Sequence, residues 1–223
     1  MSSLYDCAVD AELLTGMRLA RAAIARGELV VLPTDTVYGL AADAFDAEAV
    51  QRLLDAKGRT RQSPPPVLIK GQDTLAALTE SVPDLVQPLL DEFWPGGLTV
   101  ILRAQPSLIW DLGETRGTVA LRQPSNKLVL ELLEETGPLA VSSANLTGEP
   151  AALTAQQALD MLGDSASVYL DGGEAGRDYV LPPGANTGST IVDATGDGVL
   201  RIVRHGVISD DEIRRVAADG VVV

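Results

Sequence analysis

The aliphatic residues of this chain come in short runs: LVVL at 29–32, LTVILR at 98–103, TVALR at 118–122, LAV at 139–141, STIVDA at 189–194 and VLRIVR at 199–204. Runs this short, rich in β-branched residues and bounded by Gly, Pro and Asp, read as strands buried in a sheet. None approaches the ~18 apolar residues that a membrane span requires. Between them lie amphipathic stretches with helix start and stop signals. Asp10 caps a helix to about residue 26, with Leu13, Leu14, Met17, Ala20 and Ile24 on its buried face and Gly27 as its stop. Asp46 caps a second helix whose stripe is Val50, Leu53 and Leu54 and which Gly58 ends. Pro83 opens a third over 83–94, 125–136 is stopped by Gly137, and 154–162 and 209–218 complete the set. Helices and strands without strict alternation predict one α/β domain over residues 1–223, built on a mixed twisted sheet. No repeat or low-complexity linker divides it. The Gly- and Pro-rich segment 171–188 reads as a long loop of the kind that closes over sites.

A net charge of −14, from 31 acidic and 17 basic residues, repels nucleic-acid backbones on average. Basic residues that cluster in such a chain therefore draw attention, and Lys57, Arg59 and Arg61 do so within AKGRTRQ. Two readings stand: compensation of the preceding helix's C-terminal dipole, or a polyphosphate clamp. The single cysteine, Cys7, excludes an internal disulfide framework and a multi-Cys zinc site. With no signal-like N-terminal block, the plain expectation is a soluble cytoplasmic protein with no membrane association.

Four apolar runs pass directly into ligand-type polar residues: VVLPTDTVYG, TVALRQP, LAVSSANLTG and, with the polar residues leading, GSTIVDA. Strand ends of open α/β sheets are where ligands bind, although Ser, Thr and Asn also make ordinary turns and caps. Four such ends could converge on one cleft. P-loop, dinucleotide and nucleophile-elbow motifs are absent, and the single histidine, His205, reads as a packing or capping residue. Asp193 and Asp197 lack the spacing of a calcium loop and read as a hairpin turn. Trp94 reads as a core anchor before a Pro-Gly turn.

PTDTVYGLAADA, KGRTRQSP, FWPGGLTVIL, TVALRQP, SSANLTGEP, STIVD and RHG, in that order, resemble the YrdC/YciO-type threonylcarbamoyl-adenylate synthases over roughly residues 13–208. The similarity is to the short, single-domain form. It implies a mixed α/β fold whose twisted open sheet, with flanking helices, forms a large concave groove. It also implies a nucleotidyltransferase that converts L-threonine, bicarbonate and ATP into threonylcarbamoyl-AMP and pyrophosphate. The product would serve N6-threonylcarbamoyladenosine formation at position 37 of tRNA, through a separate transferase complex. Phosphoryl transfer to a carbamate oxygen relies on positioning and charge stabilisation, so no protein nucleophile is needed. By matching position, Thr34, Thr36, Tyr38, Arg122, Ser142 and Ser189 are implied to hold threonine and the carbamate. Lys57 and Arg59 are implied as catalytic phosphate ligands, and Arg61, Thr118, Ser143, Asn145 and Arg204 as further nucleotide contacts. Mg²⁺ is implied to arrive on the ATP phosphates, with no metal held by the protein alone. The alternatives are a YciO-like paralogue with another substrate, or a non-catalytic RNA-binding module.

Overall fold

Local chemistry explains most element boundaries in the computed structural model, which describes residues 2–196, 198–217 and 221–223. Helix α1 (Asp10–Ala25) follows strand β1 (Ser3–Asp6) and ends before Gly27, whose φ of 71° few side chains tolerate. Val9, not Asp10, is its N-cap residue, and Leu14, assigned above to the buried face, is 72% exposed. Strands β2 (Val30–Pro33) and β3 (Tyr38–Asp43) form a hairpin that leads into α2 (Ala47–Lys57). Asp46 caps α2 by accepting from the Glu48 and Ala49 N–H groups, and left-handed Gly58 closes it, as the sequence predicts.

After β4 (Val67–Leu68) and α3 (Gln72–Leu78), the helix expected over 83–94 breaks in two. A 3-10 turn spans Asp84–Val86, and α4 runs over Gln87–Phe93 with Pro88 in its first turn. Pro88 has no N–H and its ring would clash with the carbonyl four residues back, which disfavours one continuous α-helix here. Next come β5 (Leu98–Arg103), β6 (Thr118–Arg122), α5 (Lys127–Thr136), β7 (Leu139–Ser143) and α6 (Ala155–Leu162). Strands β8 (Val168–Asp171), β9 (Thr190–Gly196) and β10 (Val199–Arg204), helix α7 (Asp210–Ala217) and β11 (Val221–Val222) complete the described chain. β9 and β10 pair antiparallel, as their hairpin pattern predicts; Asp197, expected in a hairpin turn, lies outside the described residues.

The strands form one mixed sheet in the order β1-β8-β2-β3-β7-β4-β6-β5-β9-β10-β11. Register decides which residues share a face. Ala41 pairs with Val141, Leu68 with both Leu139 and Arg122, and Ile101 with both Ala120 and Asp193, so these residues share one face. On that face α1 and α5 cover the half from β1 to β7, and reach Leu68 of β4; Met17, Ile24, Leu132 and Leu133 pack there on Leu32, Ala41, Leu139 and Val141. The opposite face is covered along its length. α2 and α6 pack on Val31 and Leu40, while α3, α4, α7 and Trp94 pack on Val67, Val100, Leu121 and Val192. The uncovered half-face over β6, β5 and β9 leaves Ile101, Ala120, Ile191 and Asp193 only half-buried, and it forms the groove the resemblance implied.

Candidate active site

A cavity of about 600 Å³ opens where the helical cover of this face stops. Gly39, Leu68, Thr99, Arg122 and Val141 form its floor, from five strands adjacent in the sheet. Its walls are the 34–38 hairpin tip, the 145–153 loop and residues 186–189. All four polar strand ends therefore meet in one place, through Thr34 and Thr36, Arg122, Ser142 and Ser143, and Ser189. Histidine and cysteine are absent from the lining. Among the described residues, no group of three or more His, Cys, Asp or Glu side chains could hold a metal ion.

Three guanidinium groups reach this cavity: Arg59, Arg122 and Arg204. Arg122 is buried, and the protein holds it on three sides. Its Nε donates to the Gly96 carbonyl at 2.9 Å, Nη1 to Thr36 Oγ1 at 3.0 Å, and Nη2 to Asp35 Oδ2 at 2.7 Å. Arg204 donates to both the carbonyl and the hydroxyl of Ser189, at 2.8 Å each. Burial, and then the charges of Arg122 and Arg59, pull its pKa down to about 10. Arg59 donates to Ser142 Oγ at 3.2 Å, and burial lowers its pKa too. Among the described residues neither Arg59 nor Arg204 has a carboxylate partner. Crowded, partly desolvated cations of this kind make an anion site.

Lys57 behaves differently from its neighbour. It is 1% exposed and does not line the cavity. Its ammonium donates to the main-chain oxygens of Ser143 and Asn145 and to Asn145 Oδ1. Burial, and then Arg59, lower its pKa to about 7. Lys57, expected as a direct phosphate ligand, directs all three N–H donors at the 143–145 segment. Asn145 is similarly engaged, because its Nδ2 donates to the Leu146 and Glu149 carbonyls. The Ser143 hydroxyl, by contrast, lines the cavity with no protein partner among the described residues.

Two other expected ligands, Thr34 and Tyr38, line the cavity and are also tied into the surrounding chain. Thr34 Oγ1 donates to the Val37 carbonyl and accepts the Thr36 and Val37 N–H groups, which folds the hairpin tip. The Tyr38 hydroxyl lies against Asp171 Oδ1 at 3.2 Å, donates to the Gly173 carbonyl at 2.6 Å and accepts the Gly172 N–H. It ties down the end of β8. Arg61 is exposed and paired with Asp111 at 2.6 Å, outside the lining. Thr118 lies on the open half-face, four residues along β6 from Arg122, and also outside the lining. Trp94 Nε1 donates to the Leu98 carbonyl in the core, as the sequence predicts, whereas His205, expected to pack or cap, is exposed and pairs with Asp210 at the start of α7.

Sequence reasoning missed Asp35 and Tyr179 as parts of the site. The Tyr179 hydroxyl, kept protonated by burial and by the adjacent Asp35 charge, donates to Asp35 Oδ2 at 3.0 Å. It also missed why two glycines follow Pro95. A Cβ on Gly97 would lie 2.4 Å from Val207 and 3.0 Å from the Tyr179 hydroxyl. The signal for Asp35 was present: a lone carboxylate among neutral polar residues at a buried strand end needs a cationic partner.

The Sua5/YciO/YrdC family model, described as "Telomere recombination", matches residues 22–206. The chain is 46% identical to a Mycobacterium tuberculosis protein named "Putative threonylcarbamoyl-AMP synthase", over 97% of this chain and 95% of that protein. It is 36% identical to the Bacillus subtilis threonylcarbamoyl-AMP synthase, over 88% of this chain and 55% of that longer protein. The fold superposes on Pyrococcus abyssi Sua5 complexed with L-threonine with a TM-score of 0.84 at 30% identity. That match covers 100% of this chain and 63% of the Sua5 chain.

Proposed function

The chain belongs to the Sua5/YciO/YrdC family, and we propose that it is a threonylcarbamoyl-AMP synthase that joins L-threonine, bicarbonate and ATP and releases pyrophosphate. The observation that carries this reading is the cavity itself: three guanidinium groups and several hydroxyls, with no histidine or cysteine on the lining. Such a site suits a reaction whose nucleophile comes from the substrates. The threonine amine condenses with bicarbonate, water leaves, and a carbamate forms. A carbamate oxygen then bonds to the α-phosphorus of ATP, and the bond to the β-phosphate oxygen breaks. The protein contributes alignment and compensation of the charge that grows on the leaving pyrophosphate.

Arg122 suits the threonine carboxylate. A guanidinium has five N–H groups, and three are used by Gly96, Thr36 and Asp35, which leaves one on each Nη for a ligand. Thr36, Ser142 and Ser189 supply hydroxyls around it. Arg59 and Arg204 serve the phosphates, and Lys57 holds Ser143 and Asn145 in place behind them. Mg²⁺ enters with ATP as part of the substrate, since the one carboxylate on the lining is Glu149 at the exposed rim. The product feeds threonylcarbamoylation of tRNA adenosine 37 by a separate transferase complex, in the cytoplasm. No helix among the described residues is long and apolar enough to cross a membrane.

The test is pyrophosphate release by the purified protein with ATP and Mg²⁺, with threonine and bicarbonate each omitted in turn. Release that needs both is the expected result. Release independent of threonine, or ATP binding without turnover, would overturn the assignment.

A further inference from the structure

Asp35 makes three hydrogen bonds beside the cavity, yet it does not line it. Its Oδ1 accepts the Ser125 N–H at 3.0 Å, and its Oδ2 accepts both Arg122 Nη2 at 2.7 Å and the Tyr179 hydroxyl at 3.0 Å. The Arg122–Asp35 pair is buried, with side chains 7% and 5% exposed. One carboxylate oxygen thus joins the guanidinium that faces the ligand to a tyrosine in the 172–188 segment. That segment contains no helix or strand, and its far end supplies Asn186, Thr187 and Gly188 to the cavity wall. It is anchored at its start by Ala175 N–H on the Leu153 carbonyl, and by Gly176 packed so closely on Thr36 that a Cβ would lie 2.7 Å from the carbonyl oxygen. At its end, the Asn186 N–H donates to the His205 carbonyl. Between these anchors Tyr179 makes the side-chain tie to the hairpin tip, and immediately beyond it Val180 is 93% exposed.

We propose that Asp35 is a positioning residue that aims Arg122 and, through Tyr179, latches the 172–188 wall over the cavity, so that binding of an amino-acid carboxylate tightens the latch. The inference rests on the synthase reading for the identity of that carboxylate. The coupling is electrostatic. In the free protein Arg122 neutralises Asp35. When a substrate carboxylate shares the guanidinium, Asp35 keeps more of its negative charge and becomes a stronger acceptor for Tyr179. The wall therefore closes best when the correct anionic group is in place, without any contact between Tyr179 and the substrate.

Arg177, 68% exposed and two residues from Tyr179, gives a direct readout, because trypsin cuts there when the segment opens. Cleavage after Arg177, followed by mass spectrometry, is compared in the wild-type protein and Tyr179→Phe, with and without L-threonine, alongside steady-state kinetics. Loss of one hydrogen bond to a charged acceptor predicts about tenfold faster cutting in Tyr179→Phe and a KM for threonine raised by about tenfold, with kcat little changed. Threonine should protect the wild-type site and leave the variant unprotected. Asp35→Asn disturbs both Arg122 and the latch, so kcat/KM for threonine falls by about a hundredfold; if that variant does not fold, Tyr179→Phe carries the test alone. Faster cutting of Tyr179→Phe without substrate supports the latch even if the wild type makes no pyrophosphate, in which case only the synthase reading fails. Equal cutting and equal KM in an active wild type and Tyr179→Phe would overturn the latch.

Discussion

The two ends of the cavity use the same device with different charge. At each end a buried cation is gripped by the protein and a second guanidinium stands in front with a hydroxyl partner. Behind Arg59 sits Lys57, held by two main-chain oxygens and an amide oxygen, all neutral. Beside Arg204 sits Arg122, held by Asp35, a full negative charge. The Lys57 end therefore holds two cations and no carboxylate, while at the other end Asp35 offsets Arg122 and leaves Arg204, which has no carboxylate partner among the described residues, to the phosphates. A polyphosphate gains from the first arrangement. A zwitterionic amino acid is served by the Arg122–Asp35 pair, where one carboxylate meets a guanidinium whose charge is already offset. A protein of net charge −14 thus holds its cationic surplus at the place where phosphates must be gathered.

The comparison breaks most visibly at Arg59. Arg59→Ala removes a cation with one 3.2 Å hydrogen bond to the protein, so the fold should survive while threonine-dependent pyrophosphate release falls about 100- to 1000-fold. Equal turnover in the variant would mean that Arg59 does not face the phosphates. Lys57→Met should invert the balance of effects. It takes the ammonium donor from three oxygens of Ser143 and Asn145, of which the Ser143 carbonyl keeps the Asn145 N–H, and should lower unfolding free energy by on the order of 3 kcal/mol in denaturant titration. Activity then falls because the 143–145 segment moves. A Lys57→Met protein as stable as wild type, with turnover lost, would restore Lys57 as a direct ligand.

Which parts of this were legible in the sequence follows from the range of the interactions involved. The cap of α2, the stop of α1 and the β9–β10 hairpin are local chemistry, and they stand where the sequence puts them. Strand β3 was hidden because five of its six residues are buried and no alternation shows. Strand β1 was hidden for another reason: it pairs with β8, near the other end of the chain. The four polar strand ends named the right segments, and the sheet brings them together on one open half-face. Roles within them were not legible, since a side chain's donors are assigned by distant partners. Lys57 meets Asn145 at a separation of 88 residues, Asp35 meets Arg122 at 87, and Tyr179 meets Asp35 at 144. No spacing rule reaches across such distances.

The smallest effect is the most specific to the contrast between the two ends. Lys57, with its pKa lowered to about 7 from the ordinary 10.5, is the cationic group at the phosphate end that titrates near neutrality. In the unfolded chain it keeps its proton to about 10.5, so between these values the unfolded state binds more protons. This group's contribution to stability is therefore flat below about pH 7 and becomes more favourable as pH rises through that window. Polyphosphate binding acts in the opposite direction on the folded state. It screens the repulsion from Arg59 and raises the Lys57 pKa, so ATP binding at about pH 8 should take up part of a proton. Calorimetric titration in two buffers of different ionisation enthalpy measures that uptake, and the difference between wild type and Lys57→Met isolates this residue from the protons of ATP itself. L-Threonine, bound at the Arg122–Asp35 end, should leave Lys57 untouched and give the same proton count in both proteins. Uptake with threonine and none with ATP would exchange the two ends.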